Sequence, residues 1–285
     1  MSWQFFAALN IVFFSLSTLM QRVLIKEGKS RPITYTIFFN LFTGIVLLLI
    51  GLFTHVLVFP VLTIQLVFFL LLAIFLYAFG NLFTFKALKQ TEASKFTLIF
   101  ATRVVFTILV AILFLSESFG IKEVIGTIFV FTGIVLVSHT SKKFHFNKGD
   151  LYGIIAAMCI GFANANARFL LHSLSIFPYM LIVFFGPVVV LSLIYPQEAK
   201  QGNLFLKKKA LSGMALLGII YAIANIGFFQ AIKTGPSVSL VSVVILTSVI
   251  VTVILSILFL KERDNMWKKL LGALISFIGL VILTI

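Results

Sequence analysis

Ten stretches of roughly 20 mostly apolar residues, the length needed to cross a bilayer as helix, follow one another along this chain with only short polar connections between them. They lie near residues 3–25, 32–54, 62–85, 95–116 and 122–139, then near 151–171, 177–195, 210–232, 237–259 and 267–285. Of the 285 residues 61% are hydrophobic and 11% charged, where a soluble domain carries roughly 25% charged residues. A chain this apolar could not hide its hydrophobic surface from water in one core, so its solvent is lipid. The expected fold class is an all-α membrane protein with ten transmembrane helices and no room for a separate soluble domain. Residues 1–20 carry no Lys or Arg ahead of the apolar run, so they read as the first span rather than a cleaved signal peptide.

The formal charge of +14 would suggest nucleic acid in a soluble chain. Sorted by connection, it says something else. The connections after spans one, three, five, seven and nine hold 17 of the 22 Lys and Arg, among them Lys26, Arg31, Lys86, Lys89, Lys142, Lys207 and Lys268. The alternate connections hold Lys122 and Lys233, and Arg22, Arg103 and Arg168 belong to spans. Basic residues collect on the cytoplasmic side of membrane proteins. That rule places both termini outside, and nucleic acid drops out as a partner in favour of the lipid bilayer. The single Cys159 rules out an intramolecular disulfide.

The two halves of the chain resemble each other. Tyr77-Ala-Phe-Gly-Asn81 matches Tyr221-Ala-Ile-Ala-Asn225, and Ile112-Leu-Phe-Leu-Ser-Glu117 matches Ile257-Leu-Phe-Leu-Lys-Glu262. Gly126 and Gly133 recur with the same gap as Gly272 and Gly279. Five spans per copy is odd, so the second copy enters the membrane upside down. The basic bias swaps accordingly: Lys122 stands alone after Glu117, whereas four basic residues surround Glu262. The repeats are assigned to residues 1–140 and 150–285.

These repeats, their Glu endings and the paired glycines resemble the drug/metabolite transporter superfamily, with the EamA-type branch of two tandem five-helix domains as the nearest pattern. The resemblance implies two inverted five-helix repeats around a central cavity, moving small metabolites by alternating access in the cell's inner membrane. Two departures stand out. The family often has proline in spans four and nine, where this chain has Val104 and Val249, and the connection after span two holds no charge beyond His55.

Charge inside a membrane is costly, which makes Arg103 the leading candidate. It lies about nine residues into span four, and no Asp or Glu falls in mid-span. Its guanidinium either docks a substrate carboxylate or phosphate, or bonds to backbone as a structural group. Asn81 and Asn225 occupy matching places in spans three and eight, each one helical turn from a tyrosine, Tyr77 or Tyr221. They form either a cavity wall or interhelical bonds. In span six Asn164 and Arg168 share a face, echoed by Thr18 and Arg22 in span one, with anchoring and substrate steering both open for the arginines. The substrate-binding set is Arg103, Asn81, Asn225, Tyr77, Tyr221 and Asn164. The four spaced glycines read as close helix packing.

Small multidrug exporters of the superfamily hold cations with a carboxylate in span one, and no acidic residue precedes Glu27 here. An anionic or zwitterionic metabolite such as an amino acid fits better. A multidrug cation/proton exporter and a nucleotide or sugar-phosphate exchanger are the alternatives. Glu92 is the weaker candidate for proton coupling, and transport without coupling is the other option. No enzyme motif, metal cluster or cofactor site is present in the sequence, so neither catalysis nor a cofactor is expected.

Overall fold

Hydrocarbon offers backbone N–H and C=O groups no water, so each span must close its hydrogen bonds internally as helix. The computed structural model describes residues 2–27, 31–58, 63–90, 96, 99–138, 147–201, 208–260 and 266–284. Within them run α1 (Trp3–Glu27), α2 (Pro32–Phe53), α3 (Ile64–Gln90), α4 (Arg103–Leu115), α5 (Ile121–Ser138), α6 (Lys148–Ser173), α7 (Ile176–Ile194), the short α8 (Pro196–Ala199), α9 (Lys208–Thr234), α10 (Val238–Leu246), α11 (Ser248–Leu260) and α12 (Met266–Thr284). The described residues contain no strand. Six of these helices are long and apolar enough to cross a membrane. The apolar segments Ile99–Leu115, Val238–Thr252 and Leu271–Leu283, together with α5, complete ten passages.

Local signals place the helix starts. Pro32 stands at the first turn of α2, where its missing N–H costs nothing. Asn147 and Asp150 form a reciprocal capping box at α6, and Ser237 accepts the Leu240 N–H at α10. Helix α7 runs on through Pro187.

Spans four and nine each break once, at matching places. Thr102 and Thr247 interrupt the two helices with φ/ψ of −61/−13° and −61/−14°. Each hydroxyl donates to the carbonyl three residues back, Ile99 at 2.6 Å and Val244 at 2.7 Å. The break thus exists without the proline, and a threonine hydroxyl holds each tightened turn.

Helix packing obeys the twofold that inverted repeats require. Helix α5 packs on α12, and α2 on α7, each pair straddling the axis. The α3–α6 pair has its image in α1–α9, and α4–α6 in α1–α11. Cross-connection bonds also join only like faces. Arg31, after span one, meets Glu198, after span seven. On the opposite face Glu117 meets the start of α10, and Ser175 donates to the Val58 carbonyl at 3.4 Å. Side chains such as Phe68, Phe114, Leu193 and Phe277 stay exposed on the outer wall, which suits lipid.

The α5–α12 seam depends on its glycines. A Cβ on Gly133 would collide with the Gly272 carbonyl and Ser276, and one on Gly126 would sit 2.6 Å from Leu283. Close approach also lets the Ser276 hydroxyl reach the Val130 carbonyl at 3.0 Å. Gly133→Val is expected to lower stability in detergent by at least about 1–3 kcal/mol, the usual range for overpacking. Gly120→Ala, whose added methyl meets the flexible end of Glu123, is expected to leave thermal unfolding unchanged.

Glu198 ties the basic face together. Its carboxylate accepts the Thr34 hydroxyl at 2.5 Å and the Arg31 guanidinium at 2.7 Å. Burial pushes this carboxyl up, but the Thr34 and Arg31 contacts outweigh it and hold it below the ordinary carboxylate range. A carboxyl lowered on folding stabilises above its unfolded value, about 4.3 for Glu, and that stabilisation fades as pH falls through the folded value. Glu198→Gln should therefore unfold at a lower temperature than wild type at neutral pH and lose less on acidification. Parallel melts at pH 7 and pH 4 measure this.

Candidate functional site

Side chains of α1, α3, α4, α6 and α9 enclose a cavity between the two halves. It is lined by polar Asn10, Gln21, Tyr77, Asn81, Thr84, Arg103, Asn164, Tyr221 and Asn225 and by an aromatic wall that includes Phe14, Phe39, Phe85, Phe100, Phe228 and Phe229. Water centres have about 90 Å³ of room in it, enough for several waters or one small solute. All six residues singled out in the sequence come together here from α3, α4, α6 and α9.

Arg103 is the first residue of α4, just past the break at Thr102. Its backbone is pinned at both neighbours. The Thr107 hydroxyl donates to the Arg103 carbonyl and to the Gly161 carbonyl, both at 3.0 Å. Gly161 itself permits the approach, since a Cβ there would lie 2.5 Å from the Arg103 carbonyl. The guanidinium lies over the Phe100 ring at 4.5 Å and the Phe14 ring at 5.5 Å. Those faces supply roughly 2 kcal/mol of cation–π attraction in a dry site. The side chain is buried, 8% exposed, and among the described residues no carboxylate or carbonyl accepts from it. The guanidinium N–H donors therefore border a cavity with aromatic walls and, among the described residues, no counter-ion.

The amides around it are partly committed to the protein. Asn81 donates to the Asn40 side-chain oxygen at 3.2 Å, and the Tyr77 hydroxyl donates to that of Asn164 at 3.4 Å. The Asn225 side chain donates to the Tyr221 carbonyl at 2.8 Å. Tyr221 packs its ring 4.7 Å from Phe39 and 6.3 Å from Phe14. Asn81 thus lines the cavity and bonds between helices, whereas Asn225 lines the cavity and bonds within its own helix.

Sequence reasoning passed over Asn10, Gln21 and Thr84. Asn10 pairs with Ala156 in the register that matches Thr18 with Asn164, and Arg103 pairs with Ser248 in the register that matches Glu117 with Glu262. A search for like polar positions misses residues present in one half alone. Ser248, with Thr18, Val249 and Thr252, lines a second, smaller cavity that shares Phe14, Gln21, Thr84, Phe100 and Arg103 with the first. It continues past Leu88 and Phe96, toward the ends of spans three and four that carry the basic connections. On the other side Tyr77, Tyr179, Leu170, Phe229, Val241 and Val244 pack into solid core. The chamber thus extends toward the basic face and is stoppered against the opposite one.

Two other candidates have structural partners. Arg168 donates to the carbonyls of Ile232, Lys233 and Pro236 at the end of α9. Lys233 answers by donating to the Leu174 carbonyl at the end of α6, at 2.9 Å. Cations on helix C-terminal carbonyls satisfy orphan acceptors and oppose the helix dipole. Arg168 is thus an anchor outside the cavity wall. Asn166 donates to the Phe69 carbonyl at 2.9 Å. The Arg22 side chain, Glu92, His139 and His145 lie outside the described residues. Glu117 proves to be more than a repeat marker. Ser116 ends α4 at φ 53°, and Glu117 accepts the N–H groups of Val238 and Ser239 at 2.7 and 3.1 Å and the Ser239 hydroxyl at 2.7 Å.

A family model described as the EamA-like transporter family matches residues 1–139 and again 147–285. A Bacillus subtilis (strain 168) protein named "Putative Na(+)/H(+) antiporter YjbQ" is 28% identical over 215 residues, 72% of this chain but 33% of that protein's length. A solved structure, described simply as a crystal structure of a protein, superposes at TM-score 0.73 over 97% of this chain and 96% of its own, with 16% identity. It shares the fold.

If Arg168 is an anchor, Arg168→Gln will lower the melting temperature and leave apparent substrate affinity unchanged in vesicle uptake. A changed affinity at unchanged stability would return Arg168 to the transport path.

Proposed function

The chain belongs to the EamA-like transporter family, a multi-pass membrane protein of the drug/metabolite kind, and from that premise we propose that it exports small polar metabolites bearing a carboxylate or phosphate across the inner membrane. One observation carries this reading: the buried Arg103 guanidinium, with no acidic partner among the described residues, faces the chamber between the halves. In a water-poor site such a cation is satisfied by an anionic ligand through paired, charge-assisted hydrogen bonds. Asn81, Asn164, Asn225, Tyr77 and Tyr221 complete the pocket around the rest of the solute. The paired breaks at Thr102 and Thr247 lie beside the chamber, where helices can bend as access alternates between faces.

A carboxylate within reach of the chamber is the most direct group for coupling to protons or for holding a cationic solute. Among the described acids Glu117 and Asp150 serve helix starts, Glu198 ties two connections and Glu123 stands in the first turn of α5, and none of these four lines the chamber. This disfavours a multidrug cation/proton exporter, and it disfavours extending the cation exchange named for the Bacillus relative to this chain. Driving force then comes from the substrate gradient itself, or from protons through groups outside the chamber.

The test is uptake by proteoliposomes of a metabolite panel spanning amino acids, organic acids and sugar phosphates. Arg103→Ala should cut transport of every accumulated anion or zwitterion about tenfold or more, the loss of one charge-assisted contact. Arg103→Lys should retain part of it, because a point charge keeps attraction but not the forked geometry. Transport untouched by both substitutions overturns the reading.

A further inference from the structure

We propose that Glu117 is a releasable clasp between the two halves: its hold on the start of α10 keeps the chamber shut on the face opposite the basic connections, and that hold breaks each time this face opens. The inference rests on the reading of the chain as a transporter and not on which solute Arg103 takes.

Helix α10 is a short rod with a grip at one end and a break at the other. Its nine residues, Val238–Leu246, span about 13.5 Å at 1.5 Å per residue. At its C-terminal end Thr247 interrupts span nine. At its start the Val238 and Ser239 N–H groups and the Ser239 hydroxyl all donate to the Glu117 carboxylate, while the Ser237 side chain accepts the Leu240 N–H. A helix leaves its first N–H groups without internal partners and gathers partial positive charge there, so both effects hold a carboxylate. Glu117 belongs to the first half and α10 to the second, so this contact bridges the halves. Arg168 and Lys233, at the same end of the bundle, join α6 to the end of α9 within the second half alone.

What the rod carries gives the clasp its role. Val238, Val241 and Val244 are buried in the same core as Tyr77, Leu170, Tyr179 and Phe229, the packing that stoppers the chamber. Ile245, one helical turn past Val241, lines the chamber itself. Opening the far face requires these valines to part from Leu170 on α6 and Tyr179 on α7. A rod jointed at Thr247 parts from them only when its free end is let go. On the other side of the contact, Ser116 ends α4 in the left-handed conformation at φ 53°, directly before Glu117. An L-residue adopts that conformation at a cost, and the surrounding contacts must hold it there. Strain held beside a contact favours the state in which the contact is broken, which suits a bond that opens and closes.

The experiment needs no solute, so its outcome and that of the Arg103 test are independent. A cysteine is placed in the stopper, as Val241→Cys on α10 or Leu170→Cys on α6, in full-length protein carrying Cys159→Ser. The rate at which a water-soluble maleimide labels it reports how often the stopper opens. Glu117→Gln, which keeps the shape but leaves one acceptor oxygen in place of two, should raise that rate about tenfold at both positions, the effect of one lost hydrogen bond to a charged group. Ser239→Ala should raise both by less. Asn147→Ala removes a helix cap at the other face and should change neither. Should Glu117→Gln fail to fold, Glu117→Asp, with its charge on a shorter arm, should raise both rates as well. Rates unchanged at both positions overturn the clasp. Faster labelling at Val241→Cys alone is fraying of a helix end, and an equal rise in Asn147→Ala is general loosening; either result overturns it too.

Discussion

Lipid will not hydrogen-bond, and the rest of this structure follows from that. Ten helices satisfy their own backbones, but their ends and their polar side chains must find partners inside the protein. The solutions repeat. Glu117 takes the first N–H groups of α10, Arg168 and Lys233 take the last carbonyls of each other's helices, and Glu198 holds Thr34 and Arg31. Each pairs a charge with the end of a helix or with the opposite charge, at the rim of the bundle where water still helps. Deep in the bundle hydroxyls also donate to backbone carbonyls, as with Thr107 on the Arg103 and Gly161 carbonyls and Ser15 on that of Ser248.

Against that background the unspent groups stand out. Arg103, Asn10, Thr84 and Ser248 border the chamber, and three of them leave a side-chain oxygen without a hydrogen-bond partner. The aromatic walls keep water thin around Arg103, so that its charge is weakly screened.

Symmetry builds the frame and its violation builds the site. The packing of α5 on α12 and of α2 on α7 and the two threonine breaks are common to both halves. The polar groups lining the chamber are not all shared. Arg103 faces Ser248 across the twofold, and Asn10 matches Ala156. A twofold cavity would offer the same chemistry from both halves, whereas the single arginine makes the two halves of this one different.

Much of this was legible without coordinates, because membrane insertion reads the chain one segment at a time. Apolar length set the ten passages, the odd repeat set the inversion, and the distribution of lysine and arginine sorted the connections into two faces. The cost of charge in lipid singled out Arg103, and matching of the halves singled out Asn81, Asn225, Tyr77 and Tyr221. Those arguments use composition and spacing along one helix, and both survive without knowing what lies across from it. What needed tertiary structure was partnership. Only packing could show that Arg168 grips the end of α9 while Arg103 grips no described partner, though both are arginines within spans. Only packing could show that Asn10 gives its amide nitrogen to the Ala224 carbonyl across the α1–α9 contact. A side chain's chemistry is written in the sequence, but whether that chemistry is already satisfied depends on the neighbours that folding brings within 3 Å or so of it.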